Sequence, residues 1–296
     1  MRQRRGTWLS CEARGRHWIR PTCRVQTSGS NELSQWTALT ARISLFLPLE
    51  EQATQRSSVL EIYQKLWGTA PDGYQSAPAP NFPSHAQGQR NGLTVNCATA
   101  PNRLDIIFSP KQTPQPSGTL DVIVDASSLY EELTATVSKL STESPSERCI
   151  GFSLFMHFVS PEHNTVSNAN AAISAVIPES YRPILSTEEN FLLQINSPYI
   201  TSEKRELKIN LIKKWGVEQF RIVRFSVQQG SPAPLVPEVK NLLAPTVSFE
   251  VNNMPMDSNV HFSKSDQSAL ILEGLLKMAV LQRDLGLKIE GFNDAI

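Results

Sequence analysis

Three sets of residues in this 296-residue chain have side chains suited to chemistry. His157 lies between Met156 and Phe158 in the run Arg148–Val159 (RCIGFSLFMHFV). An imidazole can serve as a general base, but it needs a carboxylate partner and a cleft. The neighbouring sequence supplies no such partner. Arg103 and Asp105 stand two apart, so on a strand they project to the same side, with Asn96 on a partner strand able to face them. An arginine–aspartate pair can hold a phosphate or carboxylate. The same pair can equally be a cross-strand ion pair. The third set is Gln194, Asn196, Asn210, Lys213, Lys214 and Trp215. If their strands pair, amides and amines gather on one sheet surface. Such a surface binds single-stranded nucleic acid when stacking aromatics accompany it, and no RNP-type aromatic pair does. The candidate catalytic residues are therefore His157, Arg103 and Asp105. The candidate ligand-binding residues are Gln194, Asn196, Asn210 and Trp215.

Other reactive types are scattered. Cys11, His17 and Cys23 have the spacing C-x5-H-x5-C, which matches no standard zinc finger and lacks a nearby fourth ligand. His85, His163 and His261 have no ligand partner at useful spacing. Cys97 and Cys149 fall on apolar strands, where small buried side chains fit. No phosphate-binding glycine loop, nucleophile elbow or zinc-protease helix occurs. No metal and no cofactor are expected. Four cysteines without a CxxC do not make a disulfide framework, so a reducing, cytoplasmic setting is expected. No apolar run approaches about 18 residues, which argues against a membrane span.

Charge is unevenly spread. Lys+Arg and Asp+Glu number 28 each, yet residues 1–24 hold seven arginines and one glutamate. The rest of the chain is acidic by the same margin. Residues 1–35 are expected to be a disordered or spurious arginine-rich leader. A targeting segment or a phosphate-contacting basic arm are the alternatives. The acidic body argues against nucleic acid as the partner.

Hydrophobic periodicity then supplies the elements that would position these side chains. Arg42–Leu47 reads as a strand ended by Pro48. Val59, Ile62, Tyr63, Leu66 and Trp67 make one helical stripe over about residues 55–67, stopped by Gly68. Residues 69–92 read as a long proline-rich loop. Leu93–Cys97 and Arg103–Ser109 form a hairpin around a five-residue turn. Residues 110–119 make a second proline-rich loop. Leu129, Tyr130, Leu133, Val137 and Leu140 form another helix, capped by Ser128 with Glu131 or by Asp125. Arg148–Val159 is a long strand. Further on come a weak helix at 165–176, strands near 191–196, 207–211 and 217–228, and another around Val247–Val251. Residues 264–284 form a last helix with Leu272, Leu275, Leu276, Ala279 and Val280 as its stripe and Gly286 as its stop.

The expected fold class is α+β, an antiparallel sheet in a single unit over residues 36–296. Residues 40–160 follow βαββαβ order, which resembles the ferredoxin-like superfold. Residues 161–296 form a strand-rich second half ending in a long helix, conceivable as a degenerate copy of the first. That superfold hosts many unrelated activities and so implies none here. The expected function is a non-enzymatic protein-interaction or assembly module that engages another protein or a second copy as a homodimer. It would use the sheet and the two proline-rich loops, with Tyr74 and Phe82 as anchors. The alternatives are an enzyme with a dispersed site near His157, Arg103 and Asp105, or a nucleic-acid binder using the basic arm.

Overall fold

The computed structural model describes residues 35–48, 58–76, 83–100, 102–111, 119–144, 148–160, 165–185, 191–202, 207–225, 237–257, 259–287 and 289. The chain divides into Met1–Glu32 and Leu33–Ile296. Residues 1–34 of the expected leader, with Cys11, His17 and Cys23, lie outside the described residues, as do Phe82, His163 and residues 112–118 of the second proline-rich loop.

The elements run β1 (Thr37–Phe46), α1 (Val59–Trp67), β2 (Gly73–Gln75), β3 (Ser84–Arg90), β4 (Leu93–Ala100), β5 (Arg103–Pro110), α2 (Ala126–Glu143) and β6 (Gly151–Val159). There follow α3 (Val166–Val176), a short 3-10 turn (Glu179–Ile184), β7 (Leu192–Asn196), β8 (Tyr199–Ile200), β9 (Lys208–Phe225), β10 (Pro237–Asn252) and α4 (Lys264–Asp284). The strands form one sheet in the order β2-β3-β4-β5-β1-β6-β10-β9-β7, with β8 also paired to β9. Every strand pair in it is antiparallel. The fold is therefore mixed α+β with a large antiparallel sheet, and it ends in a C-terminal helix.

That order reads as two matching series. Outward from β1 lie β5, β4 and β3, and outward from β6 lie β10, β9 and β7. The chain visits them alike, as strand, helix, four strands and helix, once from β1 to α2 and once from β6 to α4. The central strands β1 and β6 pair antiparallel, from Thr37↔Val159 to Phe46↔Gly151. Helices α2 and α4 run in opposite directions against one another above this seam. Tyr130 Oη donates to Gln282 Oε1 at 2.7 Å near one end, and Lys264 Nζ to the Thr142 carbonyl at 3.3 Å near the other.

Local sequence explains the element ends. Ser58 and Glu61 form a reciprocal capping box on α1, and Gly68 closes it at φ 70°. On α2 the N-cap is Asp125, and Ser128 donates to Asp125 at 2.6 Å. Those Ser128 bonds, first from its hydroxyl, hold the Asp125 carboxyl below its ordinary range. Residues 69–92, expected as one loop, contain β2 and β3. The reason is the Asn91-Gly92 pair, whose φ values of 43° and 78° make a tight two-residue hairpin turn. Two extra strands thus separate α1 from β4, a departure from plain βαββαβ order. The β4–β5 turn is also tighter than five residues, since Ala100 pairs with Arg103.

Alternation sets the core. Ala41, Ile43 and Leu45 of β1, Phe152, Leu154, Met156 and Phe158 of β6, and Val247, Phe249 and Val251 of β10 are all buried on one face. Helix α4 packs there through Gly274, where an added Cβ would lie 3.0 Å from Val251 Cγ1. Gly274 thus marks a close helix–sheet contact. The stripe of α4 is rotated from the expected one. Leu270, Ile271, Leu275 and Met278 are buried, whereas Leu276 and Val280 are exposed. Contact with α2 turns the helix, because buried Gln267 and Ser268 bond to Ser144 and the Val137 carbonyl.

Candidate functional site

The sheet face turned away from α1, α2 and α4 is lined by the alternate residues of each strand, and most are polar. Register carries Thr40, His157, Ser248, Lys214 and Gln194 side by side across β1, β6, β10, β9 and β7. A parallel lane is joined by hydrogen bonds. Arg103 Nε lies 2.8 Å from Asp105, which accepts from Ser44 at 2.6 Å. Further across, Ser153 donates to Glu250 at 2.9 Å, and Asn252 donates to the same carboxylate at 2.8 Å. Asn210 Nδ2 donates to Asn252 Oδ1 at 3.0 Å and also to the Met254 carbonyl, and Asn196 Nδ2 donates to Asn210 Oδ1 at 2.9 Å. Each amide therefore fixes the next, so the outer end of this face is a rigid ladder.

The sequence candidates separate on this face. His157 is nearly buried, and the fold brings it the carboxylate its sequence neighbourhood lacked, with Glu218 Oε1 3.5 Å from Nε2. Burial pushes the imidazole below its ordinary pKa. Lys214 acts in the same sense, and Glu218 opposes them. Ser248 stands directly across from His157, yet no hydrogen bond joins the two, so the nucleophile–base contact of hydrolytic chemistry is not made. Asp105 belongs to the row of Ser153 and Arg103 to that of Gly151, four and six residues along β6 from His157, so both lie at least about 13 Å away. They pair with each other as a partly exposed ion pair, a type worth under ~1 kcal/mol. Asn96 shares the face but bonds to neither of them.

Of the ligand-binding candidates, Gln194, Asn196 and Asn210 share the polar face. Trp215 does not. It is fully buried on the helix side, opposite Val247, and Lys213 shares that side. Adjacent residues on a strand point to opposite faces, so Lys213 and Lys214 divide between them. Arg42 lies on the polar face with its guanidinium 5.6 Å from the centre of the Phe155 ring. Sequence reading missed Glu218, Glu250 and Asn252, whose cross-strand contacts join residues 42 to 97 apart. No local signal marks them. Buried Cys97 has its thiol pushed up to about 12 by desolvation and then by Asp105, which leaves it unreactive.

The outer margin of this half is strand β7. Val217 N bonds to the Phe191 carbonyl, and Ser197 N to the Leu211 carbonyl. Antiparallel pairs alternate between bonded and non-bonded, so Leu193 and Ile195 bond to β9. Leu192, Gln194 and Asn196 consequently turn their N–H and C=O groups outward. Among the described residues no strand pairs with that edge. Leu192 is 66% exposed. Strands β9 and β10 also outrun the sheet, since β6 pairs β10 only from Thr246 onward and β7 reaches β9 only up to Gly216. Residues 217–225 and 237–245 are thus a two-stranded ribbon.

Among the described residues, no group of three or more His, Cys, Asp or Glu is placed to hold a metal ion. No helix among them is long and apolar enough to cross a membrane. A surface hollow of about 390 Å³ lies elsewhere, beside Asn91, Lys111 and Asp121, and contains none of the candidate residues. Comparison with known proteins finds no family, no curated protein and no solved structure that this chain matches.

Proposed function

We propose that this protein is a non-enzymatic interaction module of the cytoplasm, and that its contact element is the edge strand β7. An extended segment of another protein, or of a second copy, adds to the sheet there. The observation that carries this reading is the outward-facing main chain of Leu192, Gln194 and Asn196. Exposed edges of this kind template strand addition. Among the devices that blunt them are proline and charge, and the sequence LLQIN holds neither. The first half supplies a precedent, since the matching strand β3 is covered by β2 through Gly73↔Gln87 to Gln75↔His85. The free, buried thiol of Cys97 fits a reducing compartment. The ferredoxin-like reading of residues 40–160 is supported by the neighbour order β4-β5-β1-β6, with β2 and β3 added to it.

The test is hydrogen exchange at single residues. In dilute protein the amides of Leu192, Gln194 and Asn196 exchange freely. They become protected on adding a nine-residue peptide of alternating Thr and Val, or on concentrating the protein if the partner is a second copy. Gln194→Pro removes an outward N–H without losing a bond to β9, so it abolishes that protection and leaves the melting temperature nearly unchanged. The reading fails if millimolar peptide and concentrated protein both leave the three amides unprotected.

A further inference from the structure

We infer that the segment taken up by β7 is acidic and carries two consecutive carboxylates, one over each face of the sheet. This rests on the strand-addition reading above and identifies the chemistry of the partner. Behind β7 lies β9, which carries Lys208, Lys213 and Lys214. Lys214 stands opposite Gln194 on the polar face, and Lys213 stands opposite Ile195 on the helix face. Among the described residues none of these lysines makes an ion pair. Among the described residues, the carboxylates of Glu218, Glu250 and Glu273 are already held. Glu218 contacts His157 and Thr246, Glu250 accepts from Ser153 and Asn252, and Glu273 accepts from Ser202. Among the described residues, the margin beside the open edge therefore presents positive charge on both faces with no ion-pair partner.

Geometry then fixes the pattern. Strands lie about 4.8 Å apart, so an added strand runs about 10 Å from β9, within the combined reach of a lysine and a glutamate side chain. Successive side chains of the added strand point to opposite faces. The residue beside Gln194 thus meets Lys214, and the residue next to it in the chain, beside Ile195, meets Lys213. The two carboxylates must be adjacent in sequence, whether the strand adds parallel or antiparallel.

The experiment uses the full chain and three labelled nine-residue peptides, identical in alternating Thr and Val except for a central Glu-Glu, Gln-Gln or Lys-Lys. Fluorescence anisotropy reads the affinities. Glu-Glu is expected to bind about 3- to 10-fold tighter than Gln-Gln, the size that two partly exposed ion pairs supply. Lys-Lys binds weakest, and the differences shrink in ~1 M salt. With Lys213→Gln and Lys214→Gln combined, all three bind alike at the Gln-Gln level. Equal binding of Glu-Glu and Gln-Gln to the unaltered protein overturns the inference and leaves strand addition standing. A Glu-Glu preference that survives in the double variant overturns it as well. Should none of the three peptides bind, strand addition itself falls and the inference falls with it.

Discussion

Strands β5, β4 and β3 step outward from β1 much as β10, β9 and β7 step outward from β6, yet the two series finish differently. The first is closed by β2 and turned tightly at Asn91-Gly92. The second has no covering strand among the described residues, and its hairpin overshoots the sheet. The shared part is what buries apolar surface against the helices. The divergent part lies at the margin, where the core imposes no requirement. The first margin is covered by β2, and the second leaves the outer main chain of β7 unpaired among the described residues.

The matching of the halves can be broken first in the core. Phe108 on β5 and Phe249 on β10 occupy corresponding strands, and both are fully buried. Each change to alanine is expected to cost about 3–5 kcal/mol. Calorimetry should show one shifted transition in either variant, because the β1–β6 ladder and the α2–α4 contact couple the halves. Two separate transitions would make them independent units. A smaller effect is expected at the seam. Tyr130→Phe leaves Gln282 Oε1 without its 2.7 Å donor in a buried site, a loss of about 1–3 kcal/mol measurable by urea unfolding. The smallest is a pH effect confined to the second half. His157 has its folded pKa depressed below 6.5, so the unfolded chain takes up the proton first as acid is added. The stability it contributes is present above about pH 6.5 and is lost as pH falls toward the lower folded value. His157→Gln should flatten that part of the stability–pH curve, whereas a changed residue in the first half should not.

Element type was largely legible in the sequence, because helical stripes and strand alternation report burial directly. The stripe of α1 and the inward residues of β6 follow from spacing alone. Strand β3 (SHAQGQR) escaped because it lacks large apolar residues, and its best marker is the turn at Asn91-Gly92 rather than the strand itself. The rotation of α4 escaped for another reason. Its buried face includes Gln267, Ser268 and Gln282, which polarity alone assigns to solvent. The site was legible only in its parts. Gln194, Asn196 and Asn210 do gather, but the side chain that orders Asn210, and through it Asn196, is Asn252 of β10, and Trp215 follows the core instead. An open edge has no sequence signature, since it depends on which strand fails to arrive.

The overhanging β9–β10 ribbon has a consequence for how this chain tolerates length changes. Past Val217 and Pro245, among the described residues, the two strands pair only with each other, over a reach of about 26 Å. Trimming one residue from both strands at the tip would invert the facing of whatever the tip displays. Trimming two from each would preserve it while shortening the arm by about 7 Å. Insertions and deletions that survive there should come in even steps, a parity rule that nothing in the packed body imposes.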